Sequence, residues 1–218
     1  MSDIEVTAFS WVPPMPRGLV RDLRVRWALE EIGLPYSTRL FDRRISGPEE
    51  RKPEQPFGQV PAFREGDVEM FESGAICLWL AQRSNALLPP DDAGRARAMS
   101  WTFAALNSVE PNILMVQYAT LFDADKPGAA EFAPTLKGRL DDRLQLLSDA
   151  LGEAEWLGGT FSVADLLMVS VLRQISRGNQ LASFANLAAY VARGEARPAF
   201  QRALAAHMGD FIDDENGA

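Results

Sequence analysis

A proline-rich break at residues 87–92 divides the chain into two stretches with different residue patterns. The break is Leu-Leu-Pro-Pro-Asp-Asp, and the β-prone runs lie before it. After it come long Ala- and Leu-rich segments whose apolar residues recur every three or four positions, the periodicity of amphipathic helices. Such a change across a proline-rich linker is typical of a domain boundary. We therefore expect an α/β domain over residues 1–86 and an all-helical domain over residues 93–218.

The first part of the N-terminal stretch predicts a βαβ unit. Residues 4–9 and 36–41 are β-prone, and the apolar spacing over residues 19–32 is that of a helix, which Gly33 can end as a C-cap. The loop after the first strand contains three prolines within SWVPPMPRG, which exclude a helix there. Because a helix separates the two strands, we expect them to be parallel.

The rest of this stretch predicts a β-hairpin and a helix. Residues 60–63 and 68–71 are β-prone and flank a turn that contains glycine, and Ser73 can cap a helix that runs to Arg83. Residues 48–58 are polar and proline-broken, so only a short irregular helix fits there. The predicted order is βαβ-α-ββα with a mixed four-stranded sheet.

The C-terminal stretch predicts five helices, and the residues after Asp210 are expected to fray. Ser162 and Asp165 are spaced as in a capping box. The predicted helices span 94–121 (with a kink or break at Pro111), 134–153, 162–177, 181–193 and 198–207.

Composition excludes several classes of function. The formal net charge is -8 over 218 residues, which disfavours a nucleic-acid partner because such partners are bound through Lys and Arg. No run approaches the roughly 20 apolar residues that cross a bilayer, and the N-terminus lacks a signal-peptide pattern, so we expect a cytoplasmic protein without membrane attachment. One cysteine and one histidine, His207, disfavour a metal site, and a fraying terminus is a poor place for a catalytic base.

Two short segments have the chemistry of a peptide-binding site. Pro61 has no N–H for a ladder, and a cis bond before it would turn the N–H and C=O of Val60 outward, where an extended peptide can pair with them. Glu72 and Ser73 mark the change from strand to helix, where open amides and the helix dipole attract a carboxylate. The alternatives are a proline that only ends a loop and a serine that only caps a helix.

Four segments in this order resemble the cytosolic glutathione transferase family, and the resemblance covers nearly the whole chain. It implies a thioredoxin-like N-terminal domain, a helical domain that shapes a co-substrate pocket, glutathione as co-substrate, a role in detoxification and a homodimer. Val60 and Pro61 would hold the cysteinyl part of glutathione, and Glu72 and Ser73 its γ-glutamyl end. The segments are residues 25–36, 59–63, 71–76 and 158–165.

The family's catalytic position is where this sequence departs from the pattern. These enzymes stabilise the glutathione thiolate, usually with a Tyr, Ser or Cys side chain near the start of the first helix. Leu19, Val20 and Arg21 occupy the positions of the serine and cysteine types, and none carries a hydroxyl or thiol. The missing first-loop cysteine disfavours an enzyme that mainly exchanges thiols.

Several groups in the first loop are therefore candidates for holding the thiolate. They are the Ser10 hydroxyl, the Trp11 indole N–H, the charges of Arg17 and Arg21, and the backbone amides at the helix start. Each has a structural alternative: Ser10 ends a strand, Trp11 is a lid or core aromatic, and the arginines form a solvated face. We expect Cys77 to be a core residue.

We expect the co-substrate pocket to lie between the domains, beside the first long helix of the second one. Its candidate lining is Trp101, Phe103, Asn107, Met115 and Tyr118, although aromatic and methionine side chains at helical spacing are also typical of a core. Two functions are therefore open. The first is an enzyme that conjugates glutathione to a small apolar electrophile or catalyses a related reaction. The second is a non-catalytic glutathione-binding or scaffold protein of the same fold.

Overall fold

A computed structural model describes residues 4–176, 178 and 180–213. The chain divides after Leu87 and after Glu195: the two flanking parts form one compact unit, and Leu88–Glu195 forms the other. No helix in the described part is both long and apolar enough to cross a membrane.

The first unit contains a four-stranded mixed sheet, as the sequence predicts. The strand order is β2-β1-β3-β4, in which β1 is parallel to β2 and β3 is antiparallel to β1 and to β4. Side chains on both faces of β1 are buried, including Val6 and Thr7, as expected of a central strand. The strands are β1 (Ile4–Trp11), β2 (Ser37–Asp42), β3 (Ala62–Glu65) and β4 (Val68–Phe71).

β3 begins two residues later than the sequence pattern suggests. Pro61 has no N–H for the ladder, and the N–H of Ala62 donates instead to the Thr7 hydroxyl oxygen at 2.7 Å. This side-chain contact attaches the start of β3 to the middle of β1. The backbone of Val60 is thereby left outside the sheet.

The helices of this unit are shorter than their patterns. α1 (Asp22–Ile32) starts three residues after Leu19 and ends as predicted at Gly33, whose φ is 71°. The polar stretch forms one short 3₁₀ turn at Pro48–Glu50 and further turns, and α2 spans Ser73–Ala81.

The last helix, α8 (Pro198–Gly209), belongs to the first unit, whereas the sequence pattern predicted it in the helical domain. Its Phe200 ring packs edge to face on Trp27 of α1 at 4.9 Å, and Arg197 pairs with Glu31 of α1 at 2.6 Å. An amphipathic pattern predicts that a helix is buried on one face but does not identify its partner.

His207 is not at a frayed end. Its side chain is 1% exposed, and its Nδ1 lies 2.9 Å from the Asp22 carboxylate. The following residues are also bound, because the Ile212 N–H donates to the Ser10 carbonyl at 2.9 Å. The prediction of fraying was wrong for residues 211–213, and residues 214–218 lie outside the described residues.

The second unit is helical in its described residues. α3 passes into α4 through a π-helical segment, Ala104–Val109, and a second one, Tyr118–Phe122, follows α4. Pro111 lies in the first turn of α4, where a missing N–H costs least. The helices are α3 (Asp92–Phe103), α4 (Glu110–Gln117), α5 (Ala129–Leu151), α6 (Val163–Ser176) and α7 (Ala185–Glu195).

The capping box at the start of α6 is confirmed. The Ser162 N–H and hydroxyl donate to Asp165 Oδ2 at 3.0 and 3.1 Å, and the Tyr190 hydroxyl donates to Oδ1 at 2.9 Å. Burial raises the pKa of Asp165 despite these donors. α5 starts at Ala129 rather than Pro134, α7 starts at Ala185 rather than Leu181, and the predicted helix end at Arg177 lies outside the described residues.

Candidate active site

The predicted glutathione-binding segments meet at one edge of the sheet. β1 and β2 are parallel, and β4 runs in the same direction because β3 is antiparallel to both β1 and β4. All three strands therefore end at this edge, which we call the carboxyl edge. Ala62 pairs with Phe71, so Pro61 lies beside Glu72. Ligands of open α/β sheets bind at such edges.

Val60 presents an unpaired backbone segment at the carboxyl edge. The Val60–Pro61 bond is cis, as predicted. Val60 is only 6% exposed, yet its N–H and C=O form no hydrogen bond with the described residues. Backbone groups at such a place ordinarily find a partner. An extended peptide can pair with both groups by strand addition.

Glu72 and Ser73 form the turn into α2. Glu72 has a φ of 69°, a positive value shared by no other non-glycine residue among those described. Non-glycine residues in such conformations cost about 1–3 kcal/mol and cluster at functional sites. Glu72, not Ser73, occupies the N-cap position, and no side chain in the described part of the chain caps the helix. The first-turn amides of α2 thus remain available to a ligand anion.

Arg24 adds a buried positive charge beneath this turn. It is 4% exposed, and its Nη1 donates to the Ser73 hydroxyl oxygen at 3.4 Å. Arg24 was not among the site residues predicted from the sequence. The available signal was its position on the apolar stripe of Val20, Ala28 and Ile32, where a charged residue is out of pattern.

A cluster of arginines covers aromatic rings at the ends of β1 and β2. The guanidinium carbon of Arg51 lies 5.1 Å from the centre of the Phe9 ring, and that of Arg44 lies 5.4 Å from the centre of a Trp11 ring. Arg51 is 6% exposed, and burial, together with the charge of Arg43, lowers its pKa. Arg44 also pairs with Asp42 at 2.7 Å, and Arg51 donates to the Gly58 carbonyl at 2.8 Å, so the chain itself compensates part of this charge. In a chain of net charge -8, the remaining positive charge favours an anionic ligand.

This arginine cluster was also missed by the sequence analysis. Arg43, Arg44 and Arg51 belong to a polar stretch that has no helical or strand periodicity. Their grouping follows from the pairing of Phe9 with Phe41, which brings the two strand ends together.

The first-loop candidates differ in their surroundings. Ser10 and Trp11 end β1 at the carboxyl edge, and no hydrogen bond joins the Ser10 hydroxyl to a described residue. Arg17 instead donates to the carbonyl of Ile212 at 3.2 Å and to the Asp213 carboxylate at 3.0 Å. Arg21 occupies the N-cap position of α1 without a side-chain capping bond.

Cys77 is in the core, as expected. Its exposure is 0%, and its thiol donates to the Arg24 carbonyl at 3.5 Å. Burial raises the pKa of this thiol to about 12. The thiol is therefore neutral near pH 7 and a poor nucleophile.

The co-substrate candidates lie along α3, α4 and the π-helical segments beside them. Met115 and Tyr118 are 43% and 54% exposed, Phe103 and Asn107 are also exposed, and Trp101 is half-buried. Tyr118 packs edge to face on Phe122 at 5.4 Å. These side chains are thus not enclosed in a helical core. Among the described residues, no group of three or more His, Cys, Asp or Glu side chains could hold a metal ion.

The fold defines the class of protein: a thioredoxin-like four-stranded sheet and a helical second unit. A family model described as "Glutathione S-transferase, N-terminal domain" matches residues 23–89. The glutathione S-transferase GstA of Escherichia coli O157:H7 is 30% identical over 78% of this chain and 84% of its own length. Glutathione S-transferase F11 of Arabidopsis thaliana is 29% identical over 72% of this chain and 80% of its own length. The chain belongs to the glutathione transferase family and is a transferase.

Solved structures share the same fold. A glutathione transferase from Burkholderia graminis, with two glutathione molecules bound per subunit, aligns with a TM-score of 0.77 and 25% identity over 93% of this chain and 88% of that one. A family member from Pseudomonas fluorescens pf-5, with two glutathione bound, aligns with a TM-score of 0.78 and 23% identity over 93% of this chain and 92% of that one.

Proposed function

We propose that this transferase binds reduced glutathione at the carboxyl edge and directs its sulfur at a small apolar electrophile. The observation that carries the proposal is the unpaired backbone of Val60 beside the open N-terminus of α2. The Val60 N–H and C=O pair with the cysteinyl residue. The α2 amides and the Ser73 hydroxyl bind the γ-glutamyl carboxylate, and the Glu72 carboxylate faces the ammonium group.

Glutathione has a second carboxylate, at its glycyl end, and the arginine cluster supplies the charge for it. Arg44 and Arg51 lie over the aromatic rings that end β1. A peptide extended along Val60 with its γ-glutamyl end at α2 directs its other end towards this cluster. Charge at both ends then fixes the direction of the peptide.

The thiol loses its proton to solvent, and the Ser10 hydroxyl and the amides at the start of α1 stabilise the thiolate. The sulfur then forms a bond to the electrophilic carbon as the leaving group departs with the electron pair of the broken bond. Trp11 is the second candidate through its indole N–H. The names of the curated relatives favour this enzymatic function over a non-catalytic glutathione-binding role.

We propose that the electrophile packs against the exposed aromatic and methionine side chains on α3 and α4. Trp101, Asn107, Met115 and Tyr118 remain the candidates. The two π-helical segments, Ala104–Val109 and Tyr118–Phe122, support this proposal because π-helical turns are frequent at functional sites.

We also propose a cytoplasmic homodimer. Glutathione stays reduced in the cytosol, where the single cysteine needs no disulfide partner. The exposed rings of Phe57 and Phe71, whose centres are 6.5 Å apart, supply apolar surface for a second copy. Light scattering tests the assembly: a mass near twice 24.0 kDa supports the dimer, and a mass near 24.0 kDa contradicts it.

Steady-state kinetics with glutathione and chlorodinitrobenzene test the catalytic assignment. We expect Ser10→Ala to lower kcat about a hundredfold, as loss of an oxyanion donor typically does, and to change the KM for glutathione little. Ser84→Ala is the matched control, because its exposed hydroxyl only accepts the Ala86 N–H after α2. A Ser10→Ala enzyme with wild-type kcat contradicts the assignment, and a lower kcat in Trp11→Phe would then favour Trp11.

A further inference from the structure

Residues 207–213, which we call the C-terminal strap, contact the end of β1, Arg17 in the loop that follows it, and the start of α1. Before the start of the loop, the Ser10 carbonyl of β1 accepts the Ile212 N–H at 2.9 Å. After the end of the loop, the carboxylate of Asp22, the first residue of α1, lies 2.9 Å from His207 Nδ1. The loop is thus held from one strand end to the next helix.

Arg17 forms the contact in the middle of the loop. Its Nη2 donates to the Ile212 carbonyl at 3.2 Å and its Nη1 to the Asp213 carboxylate at 3.0 Å. Its guanidinium carbon lies 5.4 Å from the centre of the Phe211 ring, which packs edge to face on His207. Asp213 is 93% exposed, so we expect the carbonyl and ring contacts to hold Arg17 more firmly than the ion pair.

The base of the strap is fixed by polar side chains that are largely buried. The side chains of Asp22 and His207 are each 1% exposed, and the same Asp22 oxygen accepts Arg26 Nε at 2.8 Å. Arg26 Nη2 also donates to Asp210 at 2.6 Å. The Arg26–Asp210 ion pair and the His207–Asp22 hydrogen bond therefore join the end of α8 to the start of α1.

We propose that the C-terminal strap is a positioning element for the thiolate-holding loop, with Arg17 as a positioning residue. The inference rests on the proposed function, because Ser10, Trp11 and the start of α1 are the candidates that hold the sulfur anion. The loop has one residue with a positive φ, Gly18, and no sheet partner between Val12 and Arg21 among the described residues. Holding such groups in place accelerates a reaction without tightening substrate binding.

The variant pair Ile212→Pro and Ile212→Val tests the strap. Proline removes the N–H that donates to Ser10 and fixes φ at about −65°, whereas valine keeps the N–H. The side chain is 46% exposed and lies beyond the end of α8, so both variants should fold. We expect faster hydrogen exchange of the Arg17 and Leu19 amides, which donate to the Pro14 and Pro16 carbonyls, in the proline variant than in the valine variant.

Kinetics with glutathione and chlorodinitrobenzene supply the functional readout. We expect Ile212→Pro to lower kcat about tenfold or more, to raise the apparent pKa of bound glutathione seen by thiolate absorbance, and to leave the KM for glutathione nearly unchanged. The proposed role of the strap would be overturned if the Arg17 and Leu19 amides of Ile212→Pro exchanged no faster than those of Ile212→Val. It would also be overturned if they exchanged faster while kcat and the pKa of bound glutathione stayed at their wild-type values. An inactive wild-type protein that still binds glutathione would overturn the proposed catalysis, whereas the exchange result and the pKa of bound glutathione test the strap in either case.

Discussion

Single residues at the carboxyl edge leave polar groups available that a folded chain ordinarily pairs. The backbone groups of Val60 have no hydrogen-bond partner among the described residues, and Glu72 holds a backbone conformation unusual for its residue type. Val60 lies just before β3, and Glu72 lies between β4 and α2. A ligand that supplies the missing hydrogen-bond partners would offset the local cost in folding free energy.

Cys77 gives a prediction at this scale. Because its pKa is raised from 9.0 to about 12, the thiol should react with a disulfide reagent much more slowly in the native protein than in the unfolded protein. The preference for the neutral thiol stabilises the fold fully below about pH 9, and this contribution is lost as the pH rises towards 12. Measured labelling at the unfolded rate in native buffer would contradict the burial of Cys77.

Residue types alone predicted part of the candidate site. The Val60–Pro61 and Glu72–Ser73 segments were identified because proline and helix-start chemistry are local properties. Arg24 and the arginine cluster were not identified, since their roles depend on which strand ends and helices become neighbours. The thiolate-holding residue stays a proposal for the same reason.

Elements were predicted in the right order, but with different ends. The apolar spacing identified α1, whereas its first turn depends on the loop that precedes it. The pattern over residues 94–121 was continuous, and only the hydrogen bonds distinguish α3 and α4 from the π-helical segment between them. Periodicity also gave no partner for α8, whose packing on α1 depends on Phe200 and Trp27.

The capping box of α6 gives a prediction at the scale of elements. Ser162→Ala removes a hydroxyl that donates to Asp165 and accepts the Ala164 N–H, so we expect a loss of about 0.5–2 kcal/mol in the free energy of unfolding. Urea unfolding measures the loss. Ser170→Ala, whose hydroxyl donates only to the Leu166 carbonyl of the same helix, should cost much less. Equal losses for the two variants would show that the cap has no special role.

At the scale of the whole molecule, the chain concentrates opposite charge at its site. The net charge is -8, yet Arg24, Arg44 and Arg51 lie at or beneath the carboxyl edge. This distribution agrees with the proposed ligand, a peptide with two carboxylates. The sequence predicted the order of strands and helices, and the sheet topology accounts for how distant segments form one site.

Isothermal titration of reduced glutathione tests the central claim most directly. We expect saturable binding by the wild-type chain and about tenfold weaker binding by Ser73→Ala, which loses one hydrogen bond to a carboxylate. Glu72→Gln should also weaken binding, whereas Ser84→Ala and Glu69→Gln, altered at exposed positions near the same elements, should bind as wild type does. If the folded wild-type protein shows no binding at millimolar glutathione, or if Ser73→Ala and Glu72→Gln bind as tightly as wild type, the proposed site is contradicted.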